Sequence, residues 1–424
     1  MIKRIGIFIC GILFSLFFFP FEFSFLPGIN TKMMLAILGV VICFASLIRN
    51  RSFEIPRELF ILLFICSLVS FCSLFSITLN DTPDNTYVTY IISAAVWLSA
   101  AYFVCSAIHW VHGRIGVDLL VNYLVAVCLF QCTIALVMDF IPSVRSFIDQ
   151  FVEQDQLFLH RINRLYGIGA QLDVAGSRFA VCLVAISFMI CKHTGSKGVQ
   201  SLYLIAFILI TTVGNMIART TLVGSVIGLA YLLFFFFFNN RNSYLPEKLG
   251  SLLWWITIVF TFVGLFIVVY RVFPPVRNLI RFAFEGFFNL AEKGYWETSS
   301  TNKLVETMVV FPENLKTWLI GDGYFLNSRY DPNYLGNATD QGFYMGTDIG
   351  YLRFIFYFGI PGLLCMVGVI LYSTIVCIRH FQSDRALFVL SLLVGLTVWF
   401  KVSTDIFLFY CLFLCASWMN TVDK

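Results

Sequence analysis

Residues 321–362 read GDGYFLNSRYDPNYLGNATDQGFYMGTDIGYLRFIFYFGIPG. The first part is the most polar run in a greasy chain. The last part turns back into a hydrophobic segment, with Asp348, Tyr351 and Arg353 at the join. Charges that gather where an apolar run begins suggest a site at a membrane surface. Ionisable groups at membrane depth cost about 2.5–3.5 kcal/mol each on insertion scales, so they are candidates for function by default.

Outward from this stretch, the 424 residues are 59% hydrophobic and 12% charged, with 48 Phe. A soluble domain carries roughly 25% charged residues. One globule cannot hide so much apolar surface, so lipid is the expected solvent for most of the chain. The net charge of +4 is too small to argue for nucleic acid. The 13 cysteines lie in or beside hydrophobic runs, without a CxxC pair or zinc-type spacing. They read as small apolar residues, and no disulfide framework is expected.

The start, Met1-Ile-Lys-Arg followed by apolar Ile5 to Phe19, has the look of a signal sequence. It lacks a small-x-small cleavage site, so an uncleaved first span is expected. Apolar windows long enough to cross a bilayer fall near 5–22, 32–48, 59–79, 87–108, 118–140, 176–192, 200–217, 221–238, 251–270, 355–378, 386–401 and 404–420. The expected fold is an all-α polytopic membrane protein of about 12 transmembrane helices, a single integral membrane domain over 1–424. A smaller loop spans 141–175 and a larger one 271–348.

Lys and Arg in the short loops set the orientation. Lys3/Arg4, Arg49/Arg51/Arg57, Arg114, Lys192/Lys197, Arg241/Lys248 and Arg379/Arg385 fall on one side, which should be cytoplasmic together with both termini. The two long loops then lie outside, yet they carry Arg145, Arg161, Arg164, Arg271, Arg277, Arg281 and Arg329. These are either ordinary solvated loop charge or a basic surface for an anionic ligand. Within the larger loop Arg277, Arg281, Glu285 and Asn289 recur every four positions among phenylalanines. That is one amphipathic helix over Arg277 to Glu292, separated from the preceding span by Pro274-Pro275.

Three groups can carry chemistry. Arg219 sits between two apolar runs, near the tip of a tight helical hairpin. It either snorkels to the headgroups or presents a planar fork suited to the oxygens of a diphosphate. Arg161 and Arg164, in the run from His160 to Gly167, share a face if helical. They hold a phosphate or sit among headgroups. Asp348 and Tyr351 lie within about 60° on a regular helix and Arg353 about 140° from Asp348, so the three do not point one way. Asp348 is either a helix-capping acid or a carboxylate that takes a proton from a hydroxyl nucleophile. Gly359, Pro361 and Gly362 suggest a helix kink. There is no Walker motif, HExxH or nucleophile elbow. Asp322, Asp331, Asp340 and Asp348 form no regular metal-binding pattern, and neither a metal nor a cofactor is expected.

Taken together, several features resemble bacterial O-antigen polymerases of the Wzy type and, more distantly, the O-antigen ligase superfamily. They are the Phe/Ile/Leu-rich polytopic chain, Arg164-Leu-Tyr-Gly167, Arg219-Thr-Thr in a hairpin, Trp318-Leu-Ile-Gly-Asp-Gly323, and Thr347-Asp-Ile-Gly-Tyr-Leu-Arg-Phe with Phe358-Gly-Ile-Pro-Gly. The resemblance implies a GT-C-like fold in the bacterial inner membrane and metal-independent glycosyl transfer at the periplasmic face. Its substrate would be oligosaccharide repeat units on undecaprenyl diphosphate, with the lipid bilayer as setting and a flippase and chain-length regulator as partners. In these terms Arg161, Arg164, Arg219 and Arg281 would hold the diphosphate, Asp348 would be the base with Arg219 the second catalytic group, and Tyr351 and Arg353 would position substrate. Ligases carry a His near the place of Asp348, which favours a polymerase. A ligase acting on lipid A core and a flippase for lipid-linked sugar are the alternatives. A flippase should show ionisable groups deep in several spans and inverted repeats.

Overall fold

A computed structural model of the chain describes residues 2–50, 56–154, 159, 164–238, 245–327 and 342–422. The elements run α1 (Ile2–Phe18), β1 (Glu22–Phe23), β2 (Leu26–Asn30), α2 (Thr31–Asn50), α3 (Arg57–Asn80), α4 (Tyr90–His112), α5 (Val117–Phe140), α6 (Pro142–Phe151) and β3 (Val152–Glu153). They continue with α7 (Leu172–Lys192), α8 (Lys197–Ile217), α9 (Thr221–Phe238), α10 (Leu245–Val272), α11 (Pro274–Ala283), α12 (Glu285–Lys293), α13 (Ser299–Lys303) and α14 (Leu315–Leu319). The chain ends with α15 (Gly350–His380), α16 (Arg385–Val398) and α17 (Phe407–Val422).

Each of the twelve apolar stretches read from the sequence lies mainly within a helix. Eight helices among the described residues are long and apolar enough to cross a membrane: α3, α4, α5, α7, α8, α9, the Trp254–Val272 part of α10, and α15. α1 and α16, of 17 and 14 residues, are shorter, as are the apolar parts of α2 and α17. The chain is a mostly helical, multi-pass membrane protein. It is not wholly α. Phe21, Phe23 and Phe25 alternate with Glu22 and Ser24, the period-two pattern of a strand, and β1 pairs antiparallel with both β2 and β3. The backbone N–H of Gly28 donates to the Glu22 carboxylate at 3.0 Å and closes the hairpin.

The chain folds as two compact units. The first holds residues 1–31, 107–296 and 386–394. Its centre is α7, with 89% of its apolar window buried, packed on α8 and α9. Small residues permit this. A side chain on Gly224 would fall 2.3 Å from the Ala180 backbone, the close approach expected of helices packing in lipid. In α10, by contrast, none of the Trp254–Val272 window is buried.

The second unit holds residues 32–106, 297–385 and 395–424, with α3, α14 and α17 packed on α15. α15 breaks at Phe358 (φ −140°, ψ 19°) and Gly359 (φ +70°, ψ −175°), just before Pro361. Proline has no N–H to offer the carbonyl four residues back, here that of Tyr357. That carbonyl accepts from Gly323 N–H at 3.2 Å and from the Ser76 hydroxyl at 2.7 Å. The Phe356 carbonyl accepts from Asp322 N–H at 2.6 Å. The Gly-Asp-Gly turn thus docks backbone to backbone on the helix break. Gly321 (φ +84°) comes so close that a Cβ would lie 2.5 Å from the Tyr357 carbonyl, and a Cβ on Gly359 would lie 2.5 Å from that of Leu319. Only glycine meets both the conformation and the clearance.

Candidate functional site

In the first unit two of the four expected cations, Arg164 and Arg219, meet on one aromatic ring. α8 ends at Ile217, and the chain reverses over Ala218, Arg219 and Thr220 into α9. The Thr221 N–H donates to the Ala218 carbonyl at 3.1 Å and that of Leu222 to Arg219 at 3.0 Å. The Thr220 hydroxyl donates to the Asp173 carboxylate on the first turn of α7 and fixes the reversal. Arg219 then extends over the Phe282 ring, 4.2 Å from its centre. Its Nε donates to the Phe282 carbonyl at 3.0 Å, and its Nη2 meets the Glu285 carboxylate at 2.6 Å.

This contact explains a departure from the sequence reading. The single amphipathic helix expected over Arg277 to Glu292 is two helices, α11 and α12, broken at Phe284 (φ −116°, ψ 29°). The Phe282 carbonyl is given to Arg219, and Glu285, the first residue of α12, reaches the same guanidinium.

Arg164 joins this group. Its guanidinium stacks on the same Phe282 ring at 4.9 Å. Among the described residues it donates no hydrogen bond and forms no ion pair, though the Asp173 charge acts on it through space. Burial lowers the pKa of both guanidiniums from the ordinary arginine value, and the nearby carboxylates oppose that shift. Both stay cationic. Arg164 is not in a helix: 164–171 is irregular. The buried Gln131 side chain clamps it, donating to the Ile168 carbonyl and accepting from the Ile168 N–H, each at 3.0 Å. Arg161 lies outside the described residues, as do His160, Arg329, Asp331 and Asp340. Arg281 is engaged elsewhere. Its Nη2 holds both oxygens of Glu292 at 2.8 and 2.7 Å, and it stacks on Phe288. Arg145 is paired with Asp139 at 2.7 Å.

The second unit holds Asp348, Tyr351 and Arg353. α15 begins at Gly350 with Ile349 as its cap residue, so Asp348 precedes the helix and is not its cap. A helical wheel does not govern it, and the separation expected between Asp348 and Arg353 disappears. The Arg353 Nη1 meets the Asp348 carboxylate at 3.4 Å. The guanidinium is sandwiched between the Phe325 and Phe343 rings, 3.6 Å from the centre of each. It also donates to the Ser403 hydroxyl and, at 3.3 Å, to the Phe325 carbonyl. Leu326 and Phe343 form a β-bridge beside it. Arg353 therefore pins together the two chain segments that leave and rejoin the polar stretch. Tyr351 points away to the Leu396 carbonyl at 2.8 Å and packs on Trp399 and Phe400.

Gln131 and Asp84 went unnoticed in the sequence, and Glu285 was read only as part of the polar stripe, not as the partner of Arg219. The Asp84 carboxylate accepts from the N–H groups of Phe325 and Leu326 at 2.8 and 3.2 Å. For Gln131, an amide inside an apolar span was the available signal.

No family model, curated protein or solved structure matches this chain.

Proposed function

We propose that this chain is an O-antigen polymerase: a glycosyltransferase that joins undecaprenyl-diphosphate-linked oligosaccharide repeat units at the periplasmic face of the bacterial inner membrane. The observation that carries the reading is the pair of guanidiniums, Arg164 and Arg219, on the single Phe282 ring. One of them has unspent donors. Arginine forks match phosphate oxygens in pairs, and an aromatic face supports a cation without consuming its N–H groups. In the reaction a sugar hydroxyl attacks the anomeric carbon of the sugar on the diphosphate. The new glycosidic bond forms, undecaprenyl diphosphate departs with the bonding electrons, and the hydroxyl proton passes to a base. Fixed cations at the departing diphosphate stabilise the charge that develops there. Asp348 is the candidate base on its chemistry alone, with Arg353 holding its carboxylate.

The test is complementation of a polymerase-deficient host with the wild type, Arg164→Ala, Arg219→Ala and Asp348→Ala, read as the lipopolysaccharide ladder on a gel. Loss of the ladder with core plus one repeat unit retained supports polymerisation. Loss of every attached repeat points to a ligase, and absence of repeats outside the membrane to a flippase. An unchanged ladder in all three variants removes these residues from the site.

A further inference from the structure

Arg219 is not empty-handed in this structure. Its guanidinium is held by a carboxylate on a different element, the short helix α12. Glu285 opens α12, a helix of nine residues. Its oxygen lies 2.6 Å from Nη2, with 12% of the Arg219 side chain and 29% of the Glu285 side chain exposed. The backbone is interrupted immediately before it, at Phe284. The Phe282 carbonyl, which this break turns toward Arg219, takes the Nε of the same guanidinium. One arginine therefore ties both sides of a helix break, and one of those ties is to an anion. Arg164, on the same Phe282 ring, makes no such tie among the described residues.

We infer that Glu285 is a resident carboxylate that occupies the anion position on Arg219 and is exchanged for the diphosphate of the incoming lipid-linked substrate. The inference rests on the diphosphate reading of Arg164 and Arg219 given above. A carboxylate presents two oxygens and one charge; a diphosphate presents more of both and can span two guanidiniums. Exchange is thus favoured for a ligand that also engages Arg164. A monophosphate that satisfies Arg219 alone does little better than Glu285 itself. The resident carboxylate sets a threshold that discriminates the diphosphate carrier from the single phosphates of ordinary membrane lipids. Release of Glu285 also unties α12 from the hairpin tip, so binding is coupled to movement at the Phe284 break.

The experiment titrates inorganic pyrophosphate into the full-length protein in phosphatidylcholine nanodiscs by calorimetry. Glu285→Gln keeps the shape and removes the competing charge. It is expected to bind pyrophosphate about tenfold more tightly than the wild type, a charge-assisted contact of partial exposure being worth about that much. Arg219→Gln is expected to lose the binding. If Arg219→Gln is lost and Glu285→Gln is no tighter than wild type, the exchange proposal is overturned while the diphosphate reading stands. If Arg219→Gln and Arg164→Gln bind as the wild type does, the reading itself falls. The titration is repeated in phosphatidylglycerol nanodiscs. A gain for Glu285→Gln that vanishes there assigns the position to phospholipid headgroups and overturns the proposal. A measurement on the wild type alone needs no variant to fold. Amide exchange across 282–293 should accelerate with pyrophosphate but not with orthophosphate at equal ionic strength, and unchanged exchange with pyrophosphate overturns the coupling.

Discussion

Arg219 in the first unit and Arg353 in the second are each set on aromatic rings beside a carboxylate, yet their surroundings differ in kind. Arg353 is stacked on both faces, by Phe325 and Phe343, and hydrogen-bonded to Ser403 and a backbone carbonyl; 4% of its side chain is exposed. Arg219 rests on one ring, and its carboxylate stands at the start of a short helix after a backbone break. A cation closed in on two faces is part of the framework. A cation whose counter-charge opens a short helix just after a backbone break is the one we infer to change partners.

Variants can break that contrast. The largest effect is expected from Arg353→Ala, which empties the slot between two rings and removes the guanidinium that meets Asp348 at 3.4 Å. Losing one partner of a buried pair costs about 3–5 kcal/mol, so a large drop in melting temperature and yield in detergent should follow. Arg353→Lys should not restore it, because an ammonium cannot stack as a plane. A melting temperature that stays put would erase the distinction between the two arginines. Next, on the proposed polymerase function, Arg219→Ala should lower melting less than Arg353→Ala does, its partner Glu285 being 29% exposed, but lower repeat-unit polymerisation about 100-fold, the scale for removing one charge-stabilising donor, measured with purified lipid-linked substrate. Gly359→Ala tests the framework from the backbone side. Its positive φ and the clash with Leu319 should together cost about 2 kcal/mol, seen as a lower melting temperature. The smallest effect belongs to Arg281→Ala. Its pair with Glu292 is nearly half exposed on both sides and is worth about 0.5 kcal/mol or less. Activity close to wild type there would confine the anion site to Arg164 and Arg219.

Much of this framework was visible in the residues. Hydropathy alone located every long helix, because composition changes sharply at each span end. The kink at Gly359-Pro361 was readable from the missing proline N–H. The contacts that build the candidate site were not. Arg219 and Glu285 stand far apart in the chain, and nothing in the regular four-residue spacing of Arg277, Arg281, Glu285 and Asn289 shows that a distant guanidinium will interrupt it. Asp348 was misjudged for a local reason: angles on a wheel mean nothing for a residue that precedes the helix by two positions. The docking of Gly321-Asp322-Gly323 on α15 uses backbone atoms, so side-chain identities announce only its glycines. The small sheet was legible in the alternation from Phe21 to Phe25, but the weight of apolar helix around it concealed a strand only two residues long.

The contrast between α7 and α10 has a consequence for how this sequence can drift. A helix enclosed by its neighbours answers to shape at every position, so even Val-for-Ala exchanges along α7 should be selected against. The Trp254–Val272 helix, with none of its window buried, meets protein at Trp254, Phe266 and Tyr270 and elsewhere answers mainly to oiliness and length. Its letters can be shuffled among Phe, Val, Leu and Ile for generations while the protein beside it keeps its form.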